Sequence, residues 1–376
     1  MTHEQSQDYS SESYTFRFLP LSIALAGKKR MTTVQNSKFK IQNLILTNQP
    51  VTRVLLLLLL FTLAVLGMSL SLGDYPVTPA DIVKAVLALP TQDPESPFVV
   101  VTLRLPRVLI SWLVGVGLAV AGAILQGLTR NPLADPGIVG VNAGAALASV
   151  TLIVLFPTLS TMYLPLAAFG GAFVVACLIY LLAGTGEKSP LRLVVVGVAL
   201  AAIMGAFTTL MLTFGKINDV TRALVWLAGS VAGKSWEQVW QLLPWIVIFV
   251  PLALLLAREL DTLQLGDMVA KGLGSRVTWQ RSKLLLVSVA LAGSSVAIAG
   301  TIGFVGLMAP HLARRLVGSI HQNLLPVTAL IGGLLVAAAD VLGRTLFSPT
   351  ELPCGLLTAA LGAPYFIYLL YQRRRG

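Results

Sequence analysis

The chain has 376 residues, 56 % of them hydrophobic and only 11 % charged, with a mean hydropathy of +0.81. A soluble domain carries roughly 25 % charged residues, so a water-facing globule is excluded and a multi-spanning membrane protein is indicated. The net charge of +11 would suggest a nucleic-acid partner in a soluble protein, but the placement of the charges explains it otherwise.

Residues 1–50 are rich in Ser, Gln, Thr and Lys, and their apolar patch at Phe18–Ala26 is too short to span a bilayer. The sequence predicts a disordered cytoplasmic tail here, with no signal-peptide cleavage site and with Met31 as an alternative start. Residues 51–376 form the predicted membrane domain. A crossing helix needs about 20 apolar residues, and uncharged windows place ten of them. They are 54–73, 108–129, two within 136–186 that turn around Pro157 and Pro165, 193–215 and 238–257. A seventh begins near 284 and ends at Gly300–Gly303, an eighth ends at Arg314 and Arg315, and the last two are 326–345 and 353–371. The fold class is therefore all-α and polytopic. Between the first two spans, VTPADIVKAVLALP (Val77–Pro90) predicts a short amphipathic surface helix, with Thr78 as cap, Pro79 in the first turn and Pro90 as stop.

With both termini cytoplasmic, most of the 27 lysines and arginines fall in inside segments, as the positive-inside rule requires. The net charge is then mostly topology, and no nucleic acid is implied. Cys177 and Cys354 lie in or beside apolar runs and read as buried thiols rather than a disulfide framework. His3, His311 and His321 are scattered, without the spacing of a metal site. No cofactor is called for.

AGSVAGKS (Ala228–Ser235) and LLVAAAD (Leu334–Asp340) imitate the two nucleotide motifs of an ATPase. A phosphate loop needs a strand before it and a helix after it. Here the first segment is an outside loop and the second lies inside a span. The chain has no predicted catalytic residues, and any ATP hydrolysis belongs to another subunit. The polar turn NPLADP (Asn131–Pro136) interrupts the second and third spans. Asn131 and Asp135 can satisfy free backbone groups there, and the prolines bias the preceding residues away from helix. GFVGLMAPH (Gly303–His311) is predicted to break the chain in the same style. GLTRNPLA and GLMAPHLA echo one another, as an inverted repeat would.

Four ordered blocks carry a family resemblance: RLPRVLISWLVGVGLAVAGAILQGLTRNPLADPGIVGVNAGAA (Arg104–Ala146), WLAGSVAGKSW (Trp226–Trp236), LGDMVAKGLG (Leu265–Gly274), and AGTIGFVGLMAPHLARRLVG (Ala299–Gly318) continued by Asp340–Phe366. Over residues 50–371 the chain resembles the FecCD-type permease subunits of iron–siderophore and cobalamin ABC importers. The resemblance departs at His321, where Ile320 and Gln322 stand in place of the family's flanking Asp and Arg, and the first 50 residues have no family counterpart.

The resemblance implies a type II ABC importer permease fold in a bacterial inner membrane, translocating an iron–siderophore, haem or cobalamin complex. It implies a second permease subunit, the same or a related chain, two cytoplasmic ATPase subunits and an external substrate-binding protein. It makes Leu265, Gly266, Asp267, Met268, Ala270, Leu273 and Gly274 the ATPase-coupling segment. It matches Arg104, Arg107 and Arg344 to the arginines that receive the binding protein's glutamates. It makes Met204, Phe207, Thr208 and Met211 pathway-lining candidates, and Ser189–Arg192 an inner gate. Asp340 precedes Arg344 by one helical turn and is expected to hold it. The alternative reading is a proton-coupled secondary carrier built on Asp340, since intramembrane acids often carry protons.

Overall fold

The computed structural model describes residues 51–137, 140–183, 190–346 and 348–373. The expectations for the first 50 residues and for Ser189 lie outside them. Every regular element among the described residues is helical. In chain order these are α1 (Val51–Ser71), α2 (Pro79–Val86), a π-helical turn (Phe98–Arg104) running into α3 (Leu105–Thr129), α4 (Val141–Leu155), α5 (Leu164–Ala183), α6 (Pro190–Phe214) and α7 (Ile217–Leu227). They continue with α8 (Trp236–Leu255), α9 (Ala257–Gln264), α10 (Asp267–Gly272), α11 (Val277–Ala299), α12 (Val305–Val317), α13 (His321–Thr345) and α14 (Cys354–Arg373).

Seven of the described helices are long and apolar enough to cross a membrane: α1, α3 with its π turn, α5, α6, α8, α11 and α13. Two shorter apolar helices, Val141–Leu155 and Cys354–Tyr368, add to them. The eighth expected span, α12, has only 13 residues and is about 20 Å long at 1.5 Å per residue. It cannot cross the ~30 Å core alone. The count of ten is thus approximate, and α12 is the weak member.

Burial sorts the helices into an inner set and an outer set. The apolar windows of α3, α11 and α13 are 89 %, 83 % and 67 % buried, whereas those of α1, α5, α6 and α8 are 17–22 % buried. The outer helices present side chains such as Leu57, Leu60, Leu166, Leu181 and Val247 outward. Lipid tails are as apolar as leucine, so the inner helices cannot associate by hydrophobicity; close packing of small residues must do it. Gly115 of α3 faces Gly332 and Gly333 of α13, and a Cβ at Gly115 would overlap the Gly332 carbonyl. Gly122 meets Gly306 of α12 in the same way, and Gly144 of α4 meets Gly171 of α5.

The surface helix forms as its sequence predicts. Thr78 accepts a hydrogen bond from the Asp81 amide at 3.2 Å and Pro79 opens the first turn. The helix stops at Val86, ahead of Pro90, where Ala88 takes a positive φ of 53°. Its Ile82 and Ala85, with Val77 just before it, close a small core with Val100.

Several boundaries differ from expectation, for physical reasons. The second span begins at Phe98, ten residues early, because Arg104 and Arg107 find acceptors inside the bundle, backbone carbonyls for the first and carboxylates for the second, and do not mark a water boundary. The ninth begins at His321 rather than 326 because its cap lies elsewhere in the chain. The Asp261 carboxylate accepts the His321 amide at 3.1 Å and sits 2.5 Å from the His321 ring nitrogen Nδ1. Segment 216–235, expected as an outside loop, contains the amphipathic helix α7.

GFVGLMAPH does not interrupt a helix at Pro310. The break lies at Gly300–Phe304, and α12 runs unbroken through Pro310 and His311. Proline removes the amide that would bond Gly306 O, four residues back, and the side-chain amide of Gln126 supplies the missing donor at 3.1 Å. GLTRNPLA forms a turn while GLMAPHLA forms a helix, so the two echoes do not share a structure. Of the two thiols, Cys354 is buried as expected but Cys177 is exposed on α5.

Candidate functional site

Three groupings of the expected residues stand at different places in the bundle. The first is built on the turn after α3. Arg130 takes a left-handed φ of 50° and closes the helix, its amide bonding Gly127 O and the Asn131 amide bonding Gln126 O. Leu133 N donates to Asn131 Oδ1 at 3.0 Å, and Gly137 N donates to Asp135 Oδ1 at 2.8 Å. These side-chain turns satisfy the backbone that the two prolines prevent from being helical.

The Arg130 guanidinium then reaches α9 and α10. It donates to Leu263 O at 2.8 Å and to Asp267 Oδ1 at 2.5 Å, while Arg281 of α11 reaches the same carboxylate at 3.0 Å. Asp267 is therefore the knot between α3, α10 and α11. Burial tends to raise its pKa, but the hydrogen bond from Arg130 and the charges of Arg281 and Arg130 outweigh this and hold it below the usual carboxylate value. Around the knot, Leu265, Met268, Val269 and Leu273 are exposed, Met268 at 79 %. Gly266 and Gly274 take positive φ of 108° and 86° and bound the segment, and Ala270 is its buried foot. The helix is shorter than the block, Asp267–Gly272. Its apolar face is left uncovered by the described residues.

The second grouping is at the opposite end. Arg107 and Asp340 pair with contacts of 2.8, 3.1 and 3.1 Å, and Arg107 also reaches Glu351 at 3.0 Å. Arg344 lies 4.0 Å from Asp340 and gives its hydrogen bonds to Ser69 O and Ser69 Oγ on α1 and to Leu72 O just after it. The first partner of Asp340 is thus Arg107 and not Arg344, because α3 and α13 cross closely enough to bring the two together. Arg104 is only 7 % exposed and donates to Leu70 O, Ser71 O and Tyr75 O. All three arginines cluster where α1, α3 and α13 end, and all three have partners within the chain.

The third grouping is on α6. Phe207 is 49 % exposed, Met204 and Met211 are half-buried, and Thr208 is buried with its hydroxyl donating to Met204 O at 2.8 Å. Ile203, Leu210 and Phe214 extend the exposed face.

The false phosphate loop is a helix–helix staple. Helix α7 precedes it, Ser230 N donates to Ala299 O at 2.7 Å, and Gly355 N donates to Gly229 O at 3.0 Å. Gly229 at φ 72° allows the close approach to Thr301, just after α11, and to Gly355 of α14. Sequence reasoning missed two positions that tie distant helices together. Asp261 carries no local signal, since its partner is 60 residues away. Gln126 was visible only as the last polar residue of an apolar run, yet it bonds both Gly306 O and Arg314.

Comparison with known proteins identifies the setting. The FecCD transport family matches residues 56–372. The chain is 46 % identical over 329 residues to the probable siderophore transport system permease protein YfhA of Bacillus subtilis, covering 86 % of this chain and 95 % of that protein. It is 43 % identical over 321 residues to the Fe(3+) dicitrate transport system permease protein FecD of Escherichia coli, covering 85 % and 99 %. Among solved structures it is similar to one described as an inward-facing conformation of a metal-chelate type ABC transporter. That match has a TM-score of 0.77 and 34 % identity, covering 85 % of this chain and 99 % of the other.

Proposed function

The chain belongs to the FecCD transport family, and from that premise we propose that it is the permease subunit of an ATP-driven importer for a ferric chelate of the siderophore or citrate class. Relatives named for siderophore, Fe(3+)-citrate and iron(3+)-hydroxamate import support the ligand class. The observation that carries the reading is the uncovered apolar face of Leu265, Met268, Val269 and Leu273, held on a charged knot to α3 and α11. A short amphipathic segment of this kind suits docking in a groove of a partner. The knot transmits a rigid-body push to the two most buried helices.

In this reading the Arg130 end faces the cytoplasm, where two ATPase subunits dock, and both chain termini lie on that side. The Arg107 end faces outward and meets a substrate-binding protein. Arg107 and Arg344 keep part of their guanidinium donors beyond the internal bonds, and a guanidinium suits bidentate contact with carboxylates. The exposed face of α6, with Phe207 at its centre and Met204 and Met211 at its edge, lines the path against a second permease subunit. Thr208 supports that face from behind. ATP hydrolysis takes place in the separate subunits.

The carrier alternative requires Asp340 to exchange protons. Both its oxygens accept from Arg107, so the carboxylate is engaged in an internal contact and does not face a pathway for protons. The test is uptake of radioactive ferric chelate into vesicles bearing the full complex. The expected result is uptake that requires ATP and persists with a protonophore. Uptake without ATP that collapses with the protonophore would overturn the importer reading.

A further inference from the structure

A cavity of about 260 Å³ opens at the Arg107 end of the bundle, between the C-terminal turn of α4, the start of α5, α7 and the loop before α8. Most of its wall is apolar, including Leu152, Phe156, Val225 and Trp226, with Ser160 and Ser230 at its edge. Its two charged lining residues are both cations, Arg222 and Lys234, and the lining includes no carboxylate. Arg222 is tied to Asp219 at 2.5 Å and keeps further donors. Lys234 is half-buried and has no hydrogen-bond or ion-pair partner among the described residues. Burial pushes its ammonium below the ordinary lysine value.

A half-buried cation without a counter-ion is an unfavourable arrangement that an incoming anion relieves. Charge-assisted hydrogen bonds from ammonium and guanidinium to an oxyanion are roughly twice as strong as neutral ones. A ligand pocket for a whole small molecule is about 300–1,000 Å³, so this one holds an arm of a ferric chelate and not the whole complex. The apolar wall raises the strength of the electrostatic contact by excluding water.

We propose that this cavity is an oxyanion subsite, in which Lys234 and Arg222 receive a carboxylate arm of an anionic ferric chelate as it enters the bundle. The subsite rests on the importer reading and deepens it: it makes the permease itself selective for negatively charged chelates. The phosphate of a lipid headgroup shares the same chemistry, and the experiment must separate the two sources.

The experiment is equilibrium binding of radioactive ferric citrate to the purified full chain in phosphatidylcholine nanodiscs. Wild type, Lys234→Gln and Lys234→Arg are compared, alongside a ferric trihydroxamate of no net negative charge. The expected result is saturable binding of ferric citrate that Lys234→Gln weakens by about tenfold and Lys234→Arg largely restores, with the trihydroxamate unaffected by either change. Equal binding by wild type and Lys234→Gln, or no saturable binding by the wild type, would overturn the subsite. Saturable ferric citrate binding in maltoside micelles, which carry no phosphate, that is lost in the phosphatidylcholine nanodiscs would assign the cavity to a headgroup and also overturn it. ATPase association, measured on the same variants, keeps the two levels apart. If it stands while the binding difference is absent, only the subsite falls; if it is absent, the importer reading falls.

Discussion

Arg107 and Asp340 stand 233 residues apart in sequence and share a two-pronged ion pair, with one contact of 2.8 Å and two of 3.1 Å, where α3 and α13 converge. Asp340 is 3 % exposed, so the pair is largely withdrawn from water. Breaking a buried pair by removing one partner costs about 3–5 kcal/mol, because the other charge is left uncompensated. Asp340→Asn is therefore expected to lower the melting temperature of the purified permease by several degrees. Removing both charges with Arg107→Gln and Asp340→Asn is expected to cost less than the two single changes added together. Additive effects in a double-mutant cycle would show that the pair is not coupled.

The knot at Asp267 makes a pH prediction. Its folded pKa lies below the ordinary value of about 3.9, held there mainly by the Arg130 hydrogen bond and the Arg281 charge against the opposing effect of burial. A depressed carboxylate contributes stability that is fully present above its unfolded pKa and fades as pH falls through the folded one. The difference in melting temperature between wild type and Asp267→Asn is expected to be constant near neutrality and to shrink below about pH 4. A difference that grows on acidification would contradict the assigned sign.

Glycine packing separates two substitutions that look alike in sequence. A Cβ at Gly115 would overlap the Gly332 carbonyl, whereas one at Gly170 meets nothing within 4 Å. Gly115→Ala is expected to destabilise by roughly 1–3 kcal/mol, as overpacking does. Gly170→Ala is expected to be neutral or to stabilise by up to about 1 kcal/mol, as a better helix former. Melting curves of the two variants in one lipid environment decide the matter.

The helix α13 is capped from a distance by Asp261. Replacing a capping carboxylate by alanine costs about 1 kcal/mol in a typical helix. Asp261→Ala is expected to speed amide hydrogen exchange over residues 321–325 while leaving the centre of α13 protected. Uniform exchange along the helix would mean that the contact stabilises the whole bundle instead.

The sequence made the architecture legible because lipid imposes long uncharged windows, and nearly every window became a helix. It failed where charged side chains find their partners inside the protein. Arg104 and Arg107 look like the end of a span but lie within a continuous helix, since Leu70 O, Ser71 O, Tyr75 O and Asp340 receive their donors. The start of α13 was invisible because its cap is on another helix. Pro310 resembled a break because the donor that rescues Gly306 O comes from Gln126 on α3. The block Leu265–Gly274 stood out in the sequence through the family resemblance, and the structure makes Asp267–Gly272 of it a short helix. Its knot to Arg130 and Arg281 did not stand out, because ion pairs between distant segments leave no local pattern. Asp340 was read with the neighbour one turn away, and the structure gives it the partner across the helix crossing.

The measurement that bears most directly on the importer account is copurification of the tagged full chain from membranes, with ATPase activity assayed for wild type and Met268→Asp. Met268 is 79 % exposed and makes no contribution to the core, so the variant is expected to fold and melt like the wild type. The account predicts that an ATPase accompanies the wild type and is lost, or no longer responds to substrate, in Met268→Asp. A folded wild type that carries no ATPase under conditions preserving membrane complexes, or an ATPase that accompanies Met268→Asp and responds to substrate as before, would contradict it.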